Sequence, residues 1–62
     1  MDKFDDLIYV LRYNAEAMLD NLKELEKMDA DDARVNMILK WVKVSANDTE
    51  NKIENWETIK NG

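Results

Sequence analysis

The sequence predicts an all-α protein, an antiparallel helical hairpin that dimerises into a four-helix bundle. Proline is absent and the only glycine is Gly62, so nothing between Asp2 and Asn61 forces a helix to end. Apolar residues recur at spacings of three and four along both halves of the chain, which is the period of a helix face. The 62 residues include no cysteine and no histidine. Oligomerisation is therefore the remaining way to stabilise so small a domain.

The first helix is predicted at about residues 3–28. Its apolar stripe is interrupted by Asp29-Ala30-Asp31-Asp32, and short carboxylate side chains cap the N–H groups of a new helix well. We therefore expect the turn at residues 29–32. The residues expected to face the core from this helix are Phe4, Leu7, Leu11, Met18, Leu22, Leu25 and Met28.

The second helix is predicted at about residues 32–60. Its expected core residues are Val35, Ile38, Val42, Ile53 and Trp56. The stripe is weakest at residues 45–49, where Ser, Asn, Asp and Thr disfavour a helix interior and favour an N-cap. The sequence leaves open whether the helix is straight, bends there or restarts as a third helix.

The second helix also carries apolar residues on another side. Met37, Trp41 and Val44 follow one another at spacings of four and three, apart from the expected core face. Two helices bury only the strip along which they touch, so these residues need further cover. A homodimeric four-helix bundle supplies it. The alternatives are a hairpin that docks onto a different protein and a monomeric three-helix fold.

The charge pattern narrows the class of partner. The net charge is −5, with −6 in residues 1–32 and +1 in residues 33–62. This balance disfavours nonspecific binding to nucleic acid or to anionic membranes. No apolar run approaches the roughly 20 residues that span a bilayer, and residues 1–6 lack the features of a secretory signal. We therefore expect a cytoplasmic protein that does not enter membranes.

Catalytic and metal-binding patterns are not found in the sequence. Without histidine or cysteine there is no conventional base-activated nucleophile, and the imidazole and thiolate ligands that hold zinc, copper or iron are absent. The aspartates at residues 29–32 do not continue as a calcium loop, because Arg34 stands where the turn glycine belongs and Lys40 where the bidentate glutamate belongs. We expect no enzymatic activity, no cofactor and no bound metal.

Two groups of residues are candidates for partner contact. Tyr9 and Tyr13 lie four apart on the side opposite the core face, where rigid rings offer contact area at small entropic cost. The alternative is an ordinary i,i+4 pair that shields the backbone. Met37, Trp41 and Val44 form the second group, and either a second copy of the chain or a foreign protein could cover them.

The segment Leu22-Lys23-Glu24-Leu25-Glu26-Lys27-Met28-Asp29-Ala30-Asp31-Asp32 resembles the end of the first helix and the turn of the repressor of primer (Rop) family. The resemblance implies an antiparallel homodimer of helical hairpins that binds paired RNA loops across its first helices. The stacking aromatic of that family would fall on Tyr13 and a supporting arginine on Arg12. Carboxylates stand where the family's RNA-contacting lysines are expected, at Asp2, Asp5 and Glu24.

The functional expectation is a small, non-enzymatic regulatory or adaptor protein that acts by protein–protein contact. The first alternative is a Rop-like RNA-binding regulator that uses Tyr13 and Arg12. The second is an acidic mimic of nucleic acid that inhibits a host enzyme through spaced charges at Glu16, Asp20 and Glu24.

Overall fold

A computed structural model of the chain, which describes residues 2–61, consists of two α-helices packed antiparallel. Helix α1 spans Lys3–Glu26 and helix α2 spans Val35–Asn61. The predicted all-α hairpin is confirmed. The molecule measures 46 × 19 × 11 Å and its radius of gyration is 14.6 Å, against about 10.6 Å for a compact domain of this length. It is therefore a thin slab with two broad faces.

Helix α1 begins at a capping aspartate. The carboxylate of Asp2 accepts a hydrogen bond of 2.9 Å from the backbone N–H of Asp5. Asp5 and Asp6 place negative charge beside the positive end of the helix dipole. The helix ends at Glu26, after which the N–H of Lys27 donates to the carbonyl of Glu24. Capping at Asp2 explains why the helix begins at Lys3.

The connection between the helices runs from Lys27 to Arg34 and is longer than the predicted turn of residues 29–32. Tight bonds join residues three apart, including the N–H of Asp32 to the carbonyl of Asp29 and the N–H of Val35 to the carbonyl of Asp32. The Asp32 carboxylate accepts from the N–H of Arg34 at 2.9 Å and from its guanidinium at 3.1 and 3.0 Å. Because this bonding occupies residues 32–34, α2 begins at Val35 and not near residue 32.

The strip along which the helices touch, the seam, is apolar near both ends and polar in the middle. Its residues alternate at spacings of three and four on both helices, as in a coiled coil. Only Ile38 and Asn14 are buried among the described residues, at 6% and 7% exposure. The other seam residues are half-buried, and include Leu7, Leu11, Met18, Asn21, Leu25, Val35, Val42, Ser45, Thr49, Lys52 and Trp56.

A hydrogen bond in the polar middle fixes the alignment of the two helices. The side-chain amide of Asn14 donates to the carboxylate of Asp48 at 2.9 Å, and the Nζ of Lys52 donates to the same carboxylate at 3.3 Å. The Asn14 bond, followed by the Lys52 bond, lowers the pKa of Asp48 below its usual value. Near the open end the rings of Phe4 and Trp56 lie 5.7 Å apart. Asn14 is therefore level with Asp48, and Phe4 is level with Trp56.

Most of the predicted core residues are covered in the seam, but three are exposed. Leu7, Leu11, Met18, Leu25, Met28, Val35, Ile38, Val42 and Trp56 are buried or half-buried. Phe4, Leu22 and Ile53 are exposed within the single hairpin. The seam positions near Leu22 and Ile53 are taken by Asn21, Thr49 and Lys52. Leu22 and Ile53 therefore lie to one side of the seam, whereas Phe4 contacts Trp56 at its open end and is left exposed there.

Helix α2 runs without interruption through residues 45–49, so of the possibilities left open by the sequence the restart as a third helix is not found in the described residues. The hydroxyl of Thr49 donates to the carbonyl of Ser45 at 2.9 Å, a bond made within a continuous helix. Asp48 uses its carboxylate across the seam. Because these side chains have partners that a straight helix provides, they do not cap a new one.

The Asn14 hydrogen bond can be tested by substitution. We expect Asn14→Ala to lower the free energy of unfolding by about 1–2 kcal/mol, because it removes a buried donor from the Asp48 carboxylate. Asn21→Ala is the matched control, since Asn21 is also a seam asparagine but is only half-buried. Urea unfolding followed by circular dichroism measures both. Equal effects of the two substitutions would contradict the role given to Asn14.

Stability should fall in acid because of Asp32. Hydrogen bonds from Arg34 lower the pKa of Asp32 from 3.8 to about 2. A carboxyl whose pKa is lower in the folded state stabilises the fold above its ordinary pKa and loses this effect as the pH falls towards the folded value. We expect the melting temperature to drop between pH 4 and pH 2, and to drop less over that interval in Asp32→Asn. Parallel pH profiles of the two proteins would contradict this assignment.

Candidate interaction surfaces

The two broad faces of the slab can be told apart by a shallow groove along one edge of the seam. Lys3, Asp6 and Val10 line it from α1, and Asn55 and Ile59 line it from α2. These residues define the groove face. Side chains that flank the other edge of the seam on each helix lie on the opposite face, because successive helical residues turn by about 100°.

The Trp41 patch, formed by Met37, Trp41 and Val44, lies on the groove face near the turn. Asp48 lies four residues after Val44, and Asn55 lies seven residues after Asp48, so these residues share one side of α2. Asn55 lines the groove. The three side chains are 48%, 50% and 58% exposed. The structure therefore brings together these three residues, which the sequence singled out, and leaves them accessible within one chain.

The opposite face carries a larger apolar surface that both helices share. We call it the broad apolar face, and its large exposed residues are Phe4, Ile8, Leu19, Leu22, Leu39 and Ile53. Exposed Ala15 and Ala46 lie within it. It includes the three predicted core residues that the hairpin leaves uncovered. A second packing layer on this face would bury them.

Ile8, Leu19 and Leu39 were not among the residues predicted to form a site. On α1, the positions Phe4, Ile8, Leu11, Ala15, Leu19 and Leu22 follow one another at spacings of four or three. On α2 the same holds for Val35, Leu39, Val42 and Ala46. These second stripes are visible in the sequence. If all apolar residues of a helix are assigned to one face, these second stripes cannot be distinguished from the stripes that form the seam.

Tyr9 and Tyr13 lie on the outer side of α1, away from both the seam and the broad apolar face. They are 70% and 66% exposed and form a small depression with Arg12 and Glu16. The guanidinium of Arg12 lies 3.6 Å from the carboxylate of Glu16. The tyrosines are thus accessible, but the cation between them is already paired with an anion.

The described residues contain no cluster of three potential metal ligands. Within residues 2–61, neither helix is long and apolar enough to cross a membrane. The carboxylates with lowered pKa values, Asp32 and Asp48, are bound to neighbouring side chains that hold the turn and the seam.

Comparison of the chain with protein-family models, with curated proteins and with solved structures found no match.

Proposed function

We propose that this chain is a small, non-enzymatic regulatory or adaptor protein that acts by protein–protein contact. Two hairpins pair across the broad apolar face into a four-helix bundle, and the Trp41 patch contacts another protein. One observation carries the proposal. Twelve large apolar side chains are exposed in the single hairpin, whereas Ile38 is the only buried apolar residue among those described.

Pairing across the broad apolar face is supported by its size and composition. A stable interface buries about 800 Å² on each partner, which matches a face 46 Å long and 19 Å wide. Burial of a large aliphatic or aromatic side chain stabilises by about 1.5–3 kcal/mol. The six large residues of this face are 39–52% exposed in the single hairpin, so pairing would bury the remaining exposed part of each.

A role for the Trp41 patch in contact with another protein is supported by its position. Because it lies on the groove face, pairing of the opposite faces leaves it accessible. Tryptophan and methionine are enriched at interfaces, and tryptophan is among the residues that most often dominate binding energy. The patch is smaller than the broad apolar face, as is typical of a surface that engages its partner reversibly.

Self-association can be tested at Leu22. We expect the wild-type chain to sediment as a dimer, and Leu22→Asp to raise the dissociation constant by at least about a hundredfold, because a charge would be buried in the interface. Val44→Asp introduces the same charge on the groove face and should leave the dimer intact. Sedimentation equilibrium over a dilution series measures all three proteins.

Two outcomes would contradict pairing across this face. One is a wild-type chain with the mass of a single copy at every concentration and a cooperative thermal transition. The other is a Leu22→Asp dimer as stable as the wild type while Val44→Asp dissociates.

Partner contact can be tested at Trp41. We expect Trp41→Ala to remain dimeric and to lose the protein that the wild-type chain retains in pull-downs from its native cells, with a loss of about 2 kcal/mol or more in binding energy. Tyr9→Ala is the control, since it removes an exposed aromatic ring from the outer side of α1. A partner retained equally by wild type and Trp41→Ala would contradict the role of the patch.

The same preparations should show no salt-dependent binding to RNA hairpins. The net charge of −5 and the pairing of Arg12 with Glu16 leave little cationic surface beside Tyr13. RNA binding that weakens as salt rises and is lost in Tyr13→Ala would replace the protein-contact proposal with the RNA-binding alternative.

A further inference from the structure

The apolar stripe of the broad face is nearly symmetric about one alanine on each helix. On α1, Leu11 and Leu19 lie four residues before and after Ala15, and Ile8 and Leu22 lie seven residues away. A stripe of this kind matches a reversed copy of itself. Two α1 helices that cross antiparallel at Ala15 would therefore bring apolar residues opposite apolar residues between Ile8 and Leu22. Beyond this stretch Phe4 would face Glu26.

Helix α2 repeats this arrangement about Ala46. Leu39 and Ile53 lie seven residues before and after it. Val42 lies four residues before Ala46, and the residue four after Ala46 is Glu50. Thr49 lies one residue nearer to Ala46 than Glu50 does. The match on α2 is thus apolar at the outer pair and mixed close to the centre.

The two centres of symmetry lie at the same height along the hairpin. Asn14 is level with Asp48 through its hydrogen bond, and Phe4 is level with Trp56 through the contact of their rings. Because the helices run antiparallel, Ala15 is then level with Ala46 to within about one residue, or 1.5 Å. A single twofold axis perpendicular to the helices can therefore pass beside both alanines, as an isologous dimer requires.

We infer that two copies of this chain pair about an axis through the Ala15 and Ala46 level, with α1 against α1, α2 against α2 and the two turns at opposite ends. The inference rests on the self-association proposed above and specifies its geometry. Alanine at both centres permits close approach of the helices there.

Charges beside the broad apolar face select this arrangement. When two α1 helices lie antiparallel and cross at Ala15, Arg12 lies within about two residues of the position opposite Glu16 of the second copy. Asp5 lies equally close to the position opposite Lys23 of the second copy. Reversal about Ala46 brings Lys43 near Glu50 of the second copy. These three kinds of contact join opposite charges, and the twofold axis forms each of them twice. The like-charge exception is Glu26, which lies one residue from the counterpart of Asp5.

The competing arrangement places both turns at the same end, with α1 against α2 of the second copy. Its apolar residues also match, because Leu22 would face Leu39 and Ile8 would face Ile53. The charges do not all match. Arg12 would approach Glu50, but Asp5 would approach Glu57 and Lys23 would approach Lys40. Glu16 would approach Lys43, a second contact between opposite charges. Two of these four contacts join like charges, against one of four in the arrangement with turns at opposite ends, so the charges favour turns at opposite ends.

Three alanine-to-cysteine variants distinguish the arrangements, because the chain has no cysteine of its own. Packed helix axes lie about 8–10 Å apart with Cα atoms about 2.3 Å from each axis, which places two residues that face each other across a twofold axis within disulfide reach. We expect Ala15→Cys to oxidise to a disulfide-linked dimer, and Ala46→Cys to do the same. Ala33→Cys, in the turn, should not, because the two turns would lie at opposite ends of a 46 Å molecule.

The readout is the linked fraction on non-reducing gels after mild oxidation, with sedimentation of the reduced proteins as a check on assembly. Two results together would overturn the inference and retain self-association. One is efficient linkage of Ala33→Cys. The other is a disulfide between Ala15→Cys and Ala46→Cys that forms only when the two variants are mixed. A reduced wild-type chain that sediments as a single copy would overturn both this geometry and the pairing proposed above.

A charge exchange gives an independent test. We expect Arg12→Glu to raise the dimer dissociation constant by about tenfold, because the contact between Arg12 and Glu16 of the second copy occurs twice in a symmetric dimer and both are lost. The double variant Arg12→Glu with Glu16→Arg should restore it, because the opposite charges are re-formed both within and between copies. Failure of the second substitution to restore affinity would contradict α1 packing against α1.

Discussion

The structure is governed by the fact that two helices share only one strip of contact. In the described part of the chain, that strip buries only Ile38 and Asn14 and leaves about a dozen other residues half-buried. A chain of 62 residues is already near the lower limit at which a single core suffices. Placing polar residues in the middle of the seam reduces its apolar area further. This geometry is the physical basis for the second packing layer proposed above.

The polar residues in the middle of the seam reduce its apolar burial, and their hydrogen bonds contribute to the alignment of the two helices. Heptad stripes alone fit one another equally well after a shift of seven residues. The bond from Asn14 to Asp48, reinforced by Lys52, is the polar contact made at the observed alignment. The same bond places Ala15 and Ala46 at one height. A polar contact inside the hairpin thus determines whether its outer face can match a second copy.

Much of the fold could be predicted from the sequence, because helix periodicity and the absence of proline are local signals. The assignment of faces was less complete. A search for apolar residues at helical spacing merges the seam with the broad apolar face, so Phe4, Leu22 and Ile53 were assigned to the core and Asn14 was overlooked. The sequence leaves the continuity of α2 at residues 45–49 open, and the structure has a continuous helix there, in which Asp48 and Thr49 bond to partners across the seam and along the helix. Such partners depend on tertiary structure, which residue preferences alone do not describe. The Trp41 patch could be anticipated, since its residues form a stripe of their own.

The antiparallel connection also has a consequence for biosynthesis. Seam contacts near the turn join residues that are close in sequence, and contacts near the open end join residues that are far apart in sequence. Contacts near the turn therefore require only a short loop to close. Synthesis delivers α1 before its packing partner exists, and single helices of this length are marginal in water. The seam side of α1 therefore has no cover until the residues of α2 have been made. The net charge of −6 in residues 1–32 makes unfolded copies of this half repel one another.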